Sequence, residues 1–481
     1  MAAQEHQPAQ QQHRPPGPDQ HVGPAVRLDG ALVRAWAVAA TGRLREVAPR
    51  IDALNVFPVA DADTGTNVVH TLVGGAAGLV DPLPDDPAEV ARRLATGARH
   101  HARGSSGVIL AGWLTGLAEG LVPCAESPRP PAAPDGPDQV DTGTDRLARA
   151  LLSAARGARR AVAEPWPGTV LEVAEQVAAE VDPRESLAAL LVGPLSRARA
   201  DLAETSRRHP VLREAGVVDA GACALLVALE VLAALLAGQP VDHVGDWLPD
   251  AEPGPHRHGS DGAFEVMLDV TVEVDRARLA STGTAAAVVG TGDDWRTHVH
   301  TDDPVGAVAL VPPDALRVGL VRAVLGDRSG PVVVTDDVHL AAWYAAAGAA
   351  VVVPGGAAGR ADLAETVAAL KRGCVLATDP RLADLVGALT GDPVRAAVAC
   401  VAVDEGLVTP ERAVRGVRTV ETDDPDPTGA LAGLPGGEVL TAVPRVGVDT
   451  AVVRSLAEAR GLDLVLVGAA GSGPAWRLGV E

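Results

Sequence analysis

The sequence predicts a multidomain chain: an all-α N-terminal domain, a small α+β domain and a C-terminal α/β domain. Three observations predict this. The 481 residues exceed what one domain of roughly 100–200 residues holds. Ala/Leu-rich stretches with helical spacing fill the chain to about residue 238. After Pro240 the texture changes to alternating runs, and from Pro331 to strand–helix–strand order.

Taken in order, residues 1–26 are rich in Gln, His and Pro, with no basic segment leading into an apolar one, and read as a disordered arm without a secretion signal. From Arg27 one helical face repeats Leu28, Leu32, Val33, Trp36 and Ala40 through to about Leu54. Further helical stretches cover about 66–80, 87–101, 106–121, 145–162, 168–181, 184–204 and 219–238. Between them, 122–144 is so rich in Pro, Gly and Asp that it reads as a long surface excursion within the domain. The apolar run Cys223–Gly238 contains Glu230 and falls short of the ~20 residues a bilayer span needs, so it reads as a buried helix and the chain as not membrane-spanning. Residues 248–261 form a linker. Strand-like runs FEVMLDVTVEV, AAAVVG and WRTHVHT then place the α+β domain at 262–326. PVVVTD, HLAAWYAAAGA and AVVVP open the α/β domain at 331–481, with further strand-like runs at CVLAT, AVACVAV and LVLVG.

Composition narrows the function. The chain holds 41 Lys plus Arg against 62 Asp plus Glu, a net charge of -21, with no basic patch, which argues against nucleic acid as a partner. Lys371 is the sole lysine and sits in ALKRG, so the phosphate loop GxxxxGK[ST] is excluded. The 4 cysteines are far apart and form no CxxC pair, which fits reduced thiols in a cytoplasm. Only 2% of residues are aromatic, so the core is built from Ala, Val and Leu.

Three motifs carry chemistry. In NVFPVADADTGTN, Asn55 to Asn67, the carboxylates Asp61 and Asp63 are hard oxygen ligands of the kind Mg²⁺ takes together with substrate phosphates. Gly65 lets backbone approach a phosphate, and Thr64, Thr66 and the first amides of the following helix can donate to it. In ARGSSGVILAGW, the residues Gly104, Ser105, Ser106 and Gly107 bring amides and hydroxyls to a helix start, beside Arg103. In AGVVDAGACALL, Asp219 caps an apolar helix. A plain acidic cap and turn, or a small-residue helix cap, would explain each motif taken alone.

Together with PWPGTVLEVAEQ and HPVLREAGVVDAGACALLVALE, these segments resemble the nucleotide-binding L-type domain of dihydroxyacetone kinases. Continued into THVHTDDP, the architecture is similar to the bacterial fatty acid kinase A subunit over about residues 27–326. The resemblance implies that 27–247 is an all-helical barrel whose mouth binds ATP through Mg²⁺. It makes Asp61 and Asp63 the metal ligands, with Asn55 a further contact. It places Thr64, Thr66, Asn67, Ser105, Ser106, Gly107, Thr169 and Asp219 around the nucleotide. The family usually reads PDGDTGTN where this chain has Ala60 and Ala62, and RGNSG where it has Ser105. A glycine between the aspartates suits a backbone shape that alanine resists.

Alternation puts His298 and His300 on one strand face, close enough to share a metal. In the family the matching histidines join a cysteine to hold zinc. Here GAFEVMLD aligns Glu265 with that cysteine, which leaves a His₂-plus-carboxylate set for Zn²⁺. The family's C-terminal loops are replaced by VVPGGAAGRADLAE, CVLATDPRLADLV and GAAGSGP. The implied activity is phosphoryl transfer from Mg-ATP to a fatty acid carboxylate, with Arg103 offsetting developing charge. The implied partner is a lipid-carrying B-type subunit, with a homodimer left open as the oligomer. Glycerone kinase-like activity and a non-catalytic nucleotide- or metal-sensing scaffold are the rival readings.

Overall fold

Asp29 starts the first helix by accepting a hydrogen bond from the Leu32 amide at 2.9 Å. The computed structural model describes residues 27–123, 143–251, 262–324, 330–361, 363–370, 372–404 and 409–481. The expected arm, most of the surface excursion, most of the linker and Lys371 lie outside them. Nine helices build the described N-terminal part: α1 Gly30–Ala53, α2 Thr64–Ala77, α3 Pro87–His100, α4 Gly104–Leu121, α5 Gly143–Ala161, α6 Val170–Glu180, α7 Val192–Ser206, α8 Pro210–Ala215 and α9 Ala220–Leu236. One core joins them, with Trp36, Leu44, Leu114, Leu151 and Leu226 buried in it. Small residues let the axes approach closely. A Cβ at Gly112 of α4 would meet both the Ala161 side chain and the Gly157 carbonyl of α5 at 2.9 Å.

The helix expected from 184 begins at Val192, because Asp182 and Ser186 hold the preceding residues in turns through the Glu185 and Ala189 amides. Short α8 was not expected. It starts on Pro210 and stops at Gly216, whose left-handed backbone suits a glycine after a helix.

Among the described residues eleven strands follow: β1 Phe264–Val270, β2 Thr284–Thr291, β3 Asp294–Thr301, β4 Leu316–Ala323, β5 Val332–Val334, β6 Ala350–Pro354, β7 Val375–Ala377, β8 Arg418–Thr422, β9 Val439–Pro444, β10 Asp463–Leu466 and β11 Trp476–Val480. The first seven form one sheet in the order β2-β3-β1-β4-β6-β5-β7, antiparallel as far as β6 and parallel from there. This sheet joins strands from both sides of the domain boundary that the pattern suggested between 326 and 331, because β6 pairs with the open edge of β4. The last four form a second sheet, β10-β9-β11-β8. The two regions meet where Asp337 accepts from the Gly471 amide at 2.7 Å.

The run AVACVAV, read as a strand, lies in the helix Pro393–Asp404. Apolar runs this short fit a buried helix as well as a strand, and here the caps decide: Asp392 accepts from the Arg395 amide at 2.9 Å and Pro393 opens the first turn. No helix among the described residues is long and apolar enough to cross a membrane.

Candidate functional site

The loop from α1 to α2 is fixed by two side chains. Asn55 donates from its amide to the Val59 carbonyl and accepts at Oδ1 from the Thr64 hydroxyl and, at 3.1 Å, the Thr64 amide. Asp52, a residue the motif reading missed, accepts from the Thr66 amide at 3.0 Å and the Thr66 hydroxyl at 2.7 Å. Burial raises the Asp52 carboxyl above its ordinary value, against the hydrogen bonds from Thr66 that lower it. Asp52 lies near the end of α1, fourteen residues before its partner Thr66, so no short motif links the two. Between these two braces, Asp61 and Asp63 flank Ala62, whose φ is 53°. Asp63 is the buried N-cap residue of α2 and its side chain does not cap the helix.

This loop opens on a cleft of about 310 Å³. Asp61, Asp63 and Thr64 line it from the α2 side, and Gly104, Ser105 and Ser106 from the start of α4. Gly104 has φ 62°, a shape glycine adopts at little cost, and a Cβ there would press on the Asn67 amide. Thr169 and Asp219 line the opposite wall, and Asn55 also reaches the cleft. Much of the lining is apolar, including Leu44, Val68, Leu72, Ile109 and Leu225. The start of α4 thus presents its first-turn amides to a space that also presents two carboxylates, whereas the first amides of α2, expected to donate to a phosphate, are taken up by Asn55 and Asp52.

Five expected residues lie outside that lining. Thr66 is held by Asp52. Gly65 packs on α1, where a Cβ would come within 2.7 Å of the Ala48 carbonyl. Asn67 is buried beside Gly104, Gly107 backs onto Thr71, and Arg103 is the N-cap residue of α4.

Asp219 joins two helices. Its Oδ2 accepts from the Ala222 amide of α9 at 2.8 Å and from the Val170 amide of α6 at 2.9 Å. Burial pushes its carboxyl up to about 6 although both amides favour the charged form. Three rings stand at the rim nearby. Phe57 and Trp166 line the cleft, and His209 packs against them with ring centroids 3.9 Å from Phe57 and 5.5 Å from Trp166. Both His209 ring nitrogens are buried without a hydrogen-bond partner. Burial, then Arg213, lowers its pKa.

The sheet brings the second constellation together. Glu265 on β1 faces His300 on β3 and Arg322 on β4. Glu265, His298 and His300 are buried, with ligating atoms all within 4.8 Å of one another. His298 Nδ1 lies 3.1 Å from the Ala285 carbonyl and His298 Nε2 lies 3.4 Å from Glu265 Oε1, while His300 Nδ1 is buried without a hydrogen-bond partner. Two buried imidazoles beside a carboxylate, with the His300 Nδ1 orphaned, fit a His₂-plus-carboxylate zinc set. Arg322, also missed in the sequence, grips the same carboxylate with a two-nitrogen fork, one bond being 2.9 Å. Burial would raise the Glu265 carboxyl, but Arg322 and then His298 hold it well below the usual carboxylate range. His300 also lines the cleft, so both constellations border one space. For Mg²⁺ the fitting donors are Asp61 and Asp63, hard carboxylates at the same cleft.

Known proteins agree with the helical reading. Residues 58–234 match the DAK2 domain family. The chain is 29% identical over 301 residues to Protein YloV of Bacillus subtilis, a match covering 58% of this chain and 52% of that protein. An uncharacterized protein of Staphylococcus epidermidis gives the same identity and coverage. One of Staphylococcus aureus is 29% identical over 220 residues, 45% of this chain and 37% of that protein. The chain thus spans about half the length, or less, of these relatives. The DAK2 match and these relatives support the resemblance to kinase A subunits drawn from the motifs.

Proposed function

We propose that the chain is the nucleotide-binding subunit of a kinase that transfers phosphoryl from Mg-ATP to a fatty acid carboxylate presented by a separate lipid-carrying subunit. The observation that carries this reading is the convergence of Asp61, Asp63 and the starts of α2 and α4 on one cleft, within a segment matching the DAK2 domain. Asp61 and Asp63 would hold Mg²⁺, which when bound neutralises phosphate charge. Amides at the start of α4, with the Ser105 and Ser106 hydroxyls, would hold phosphate oxygens in place of a lysine. A carboxylate acceptor is already ionised at neutral pH, so the site needs no general base. Glu265, His298 and His300 would hold zinc at the sheet side of the same cleft.

The test is Mg²⁺-dependent ADP binding by calorimetry and ATP turnover with a lipid-loaded carrier protein. In Asp61→Asn we expect binding to weaken at least about tenfold, the scale of one lost charge-assisted contact, and turnover to disappear. A wild type that binds no nucleotide would sink the reading. A second reading, a nucleotide-sensing scaffold, is favoured by the left-handed backbone at Ala62, which strains the metal loop. Tight binding without turnover by any carrier would select it.

A further inference from the structure

We infer that Phe57 and Trp166 form a base subsite that stacks the purine ring of the bound nucleotide. The inference rests on the reading that the cleft takes a nucleotide. The chain spends few aromatics, 7 Trp, 2 Phe and 1 Tyr. Trp36, Trp113 and Trp476 are core residues, at most 3% exposed. Trp166 is 46% exposed and is the sole aromatic among the exposed large hydrophobic side chains of the described residues. An indole left half in water at the rim of a cleft has a face to offer a ligand.

Position favours a planar base. Phe57 lies in the loop that carries Asp61 and Asp63, so a ring on it stands beside the phosphate end of the cleft. The Trp166 main-chain carbonyl accepts from the Thr169 hydroxyl at 3.0 Å, which ties the backbone carrying the indole to the start of α6, whose Val170 amide donates to Asp219. The Phe57 and Trp166 rings meet edge to face, 6.4 Å apart at 75°, so the Trp166 face is not stacked on Phe57. His209, 1% exposed, packs behind both rings and holds them from within. Stacking reads ring area rather than hydrogen-bonding edges, so purines should exceed pyrimidines and the two purines should differ little.

Calorimetry on the full chain with Mg-ADP and with Mg-tripolyphosphate, which has no base, separates the parts. Trp166→Ala should weaken Mg-ADP about tenfold and leave tripolyphosphate unchanged, while Trp166→Phe should retain most of the ADP affinity. Phe57→Leu, checked for folding by its thermal melt, should act in the same direction. Asp61→Asn should weaken both ligands. The base subsite is overturned if Trp166→Ala leaves Mg-ADP unchanged, or weakens both ligands equally. If the wild type binds tripolyphosphate as tightly as ADP, the base subsite falls while the phosphate site stands. Binding of neither ligand removes the nucleotide reading, and the subsite with it.

Discussion

Ala62 sits at φ 53° between two aspartates that line the cleft. A side chain in that conformation costs roughly 1–2 kcal/mol, of which a glycine would recover part after its own chain entropy of roughly 0.5–1 kcal/mol. Ala62→Gly should therefore raise stability by about 0.5–1 kcal/mol, read as a higher urea midpoint, without loss of Mg-ADP affinity. A lower midpoint would show that the loop is not strained there. Asp219 makes a pH-dependent prediction. Its folded value of about 6 stands above the ordinary 3.8, so the folded chain binds the extra proton between those values. Stability from this group is therefore greatest below about pH 4 and declines as pH rises to about 6, by about 3 kcal/mol in total. Asp219→Asn keeps an acceptor for the Ala222 and Val170 amides but cannot ionise. Urea midpoints at pH 4.5 and 7 should fall less with rising pH in the variant than in the wild type. Equal slopes would refute the raised value.

At the scale of elements, strong periodicity and caps were legible and pair geometry was not. The faces of α1 to α5 and the dipeptides Asp-Pro and Gly-Ser mark where helices run and begin, because cap chemistry is local. The strand holding His298 and His300 was equally plain from its alternation. AVACVAV failed because an all-apolar run has no face to reveal its period, and its cap at Asp392 lies just outside the run. In the candidate site, residues adjacent in sequence to the helix starts were found, whereas Asp52, Arg322 and the ring trio were missed. Each of these acts through a partner 14 or more residues away: Asp52 on Thr66, Arg322 on Glu265 at 57 residues, and Trp166 beside Phe57. Such contacts are set by how α1 meets α2 and β1 meets β4, information that a linear motif does not hold.

At the scale of the molecule, the helical part and the first sheet are pinned together around the cleft. Arg99 and His100, ending α3, both reach Asp294 at 3.0 Å, and Arg296 donates to the His100 carbonyl at 3.0 Å. The Ala163 amide after α5 donates to Ala286 of β2 at 3.0 Å. The sheet therefore forms a wall of the cleft, and His300 brings the histidine cluster to it. Two descriptions of that cluster differ in what they demand of the whole molecule. As an ion pair, Glu265 with Arg322 and His298 would suffice, and the orphaned His300 Nδ1 would remain a standing cost of roughly 1–3 kcal/mol. As a zinc set, the metal would bind both imidazoles, satisfy the orphaned His300 nitrogen and bind only the folded sheet, adding stability by mass action. We expect purified protein to carry about one zinc per chain, and His298→Ala to lose it. Chelation should lower the melting temperature of the wild type and leave that of His298→Ala unchanged, since a variant without metal has none to give up. A wild type free of zinc after reconstitution, with a melt indifferent to chelator, would assign the cluster to the ion pair.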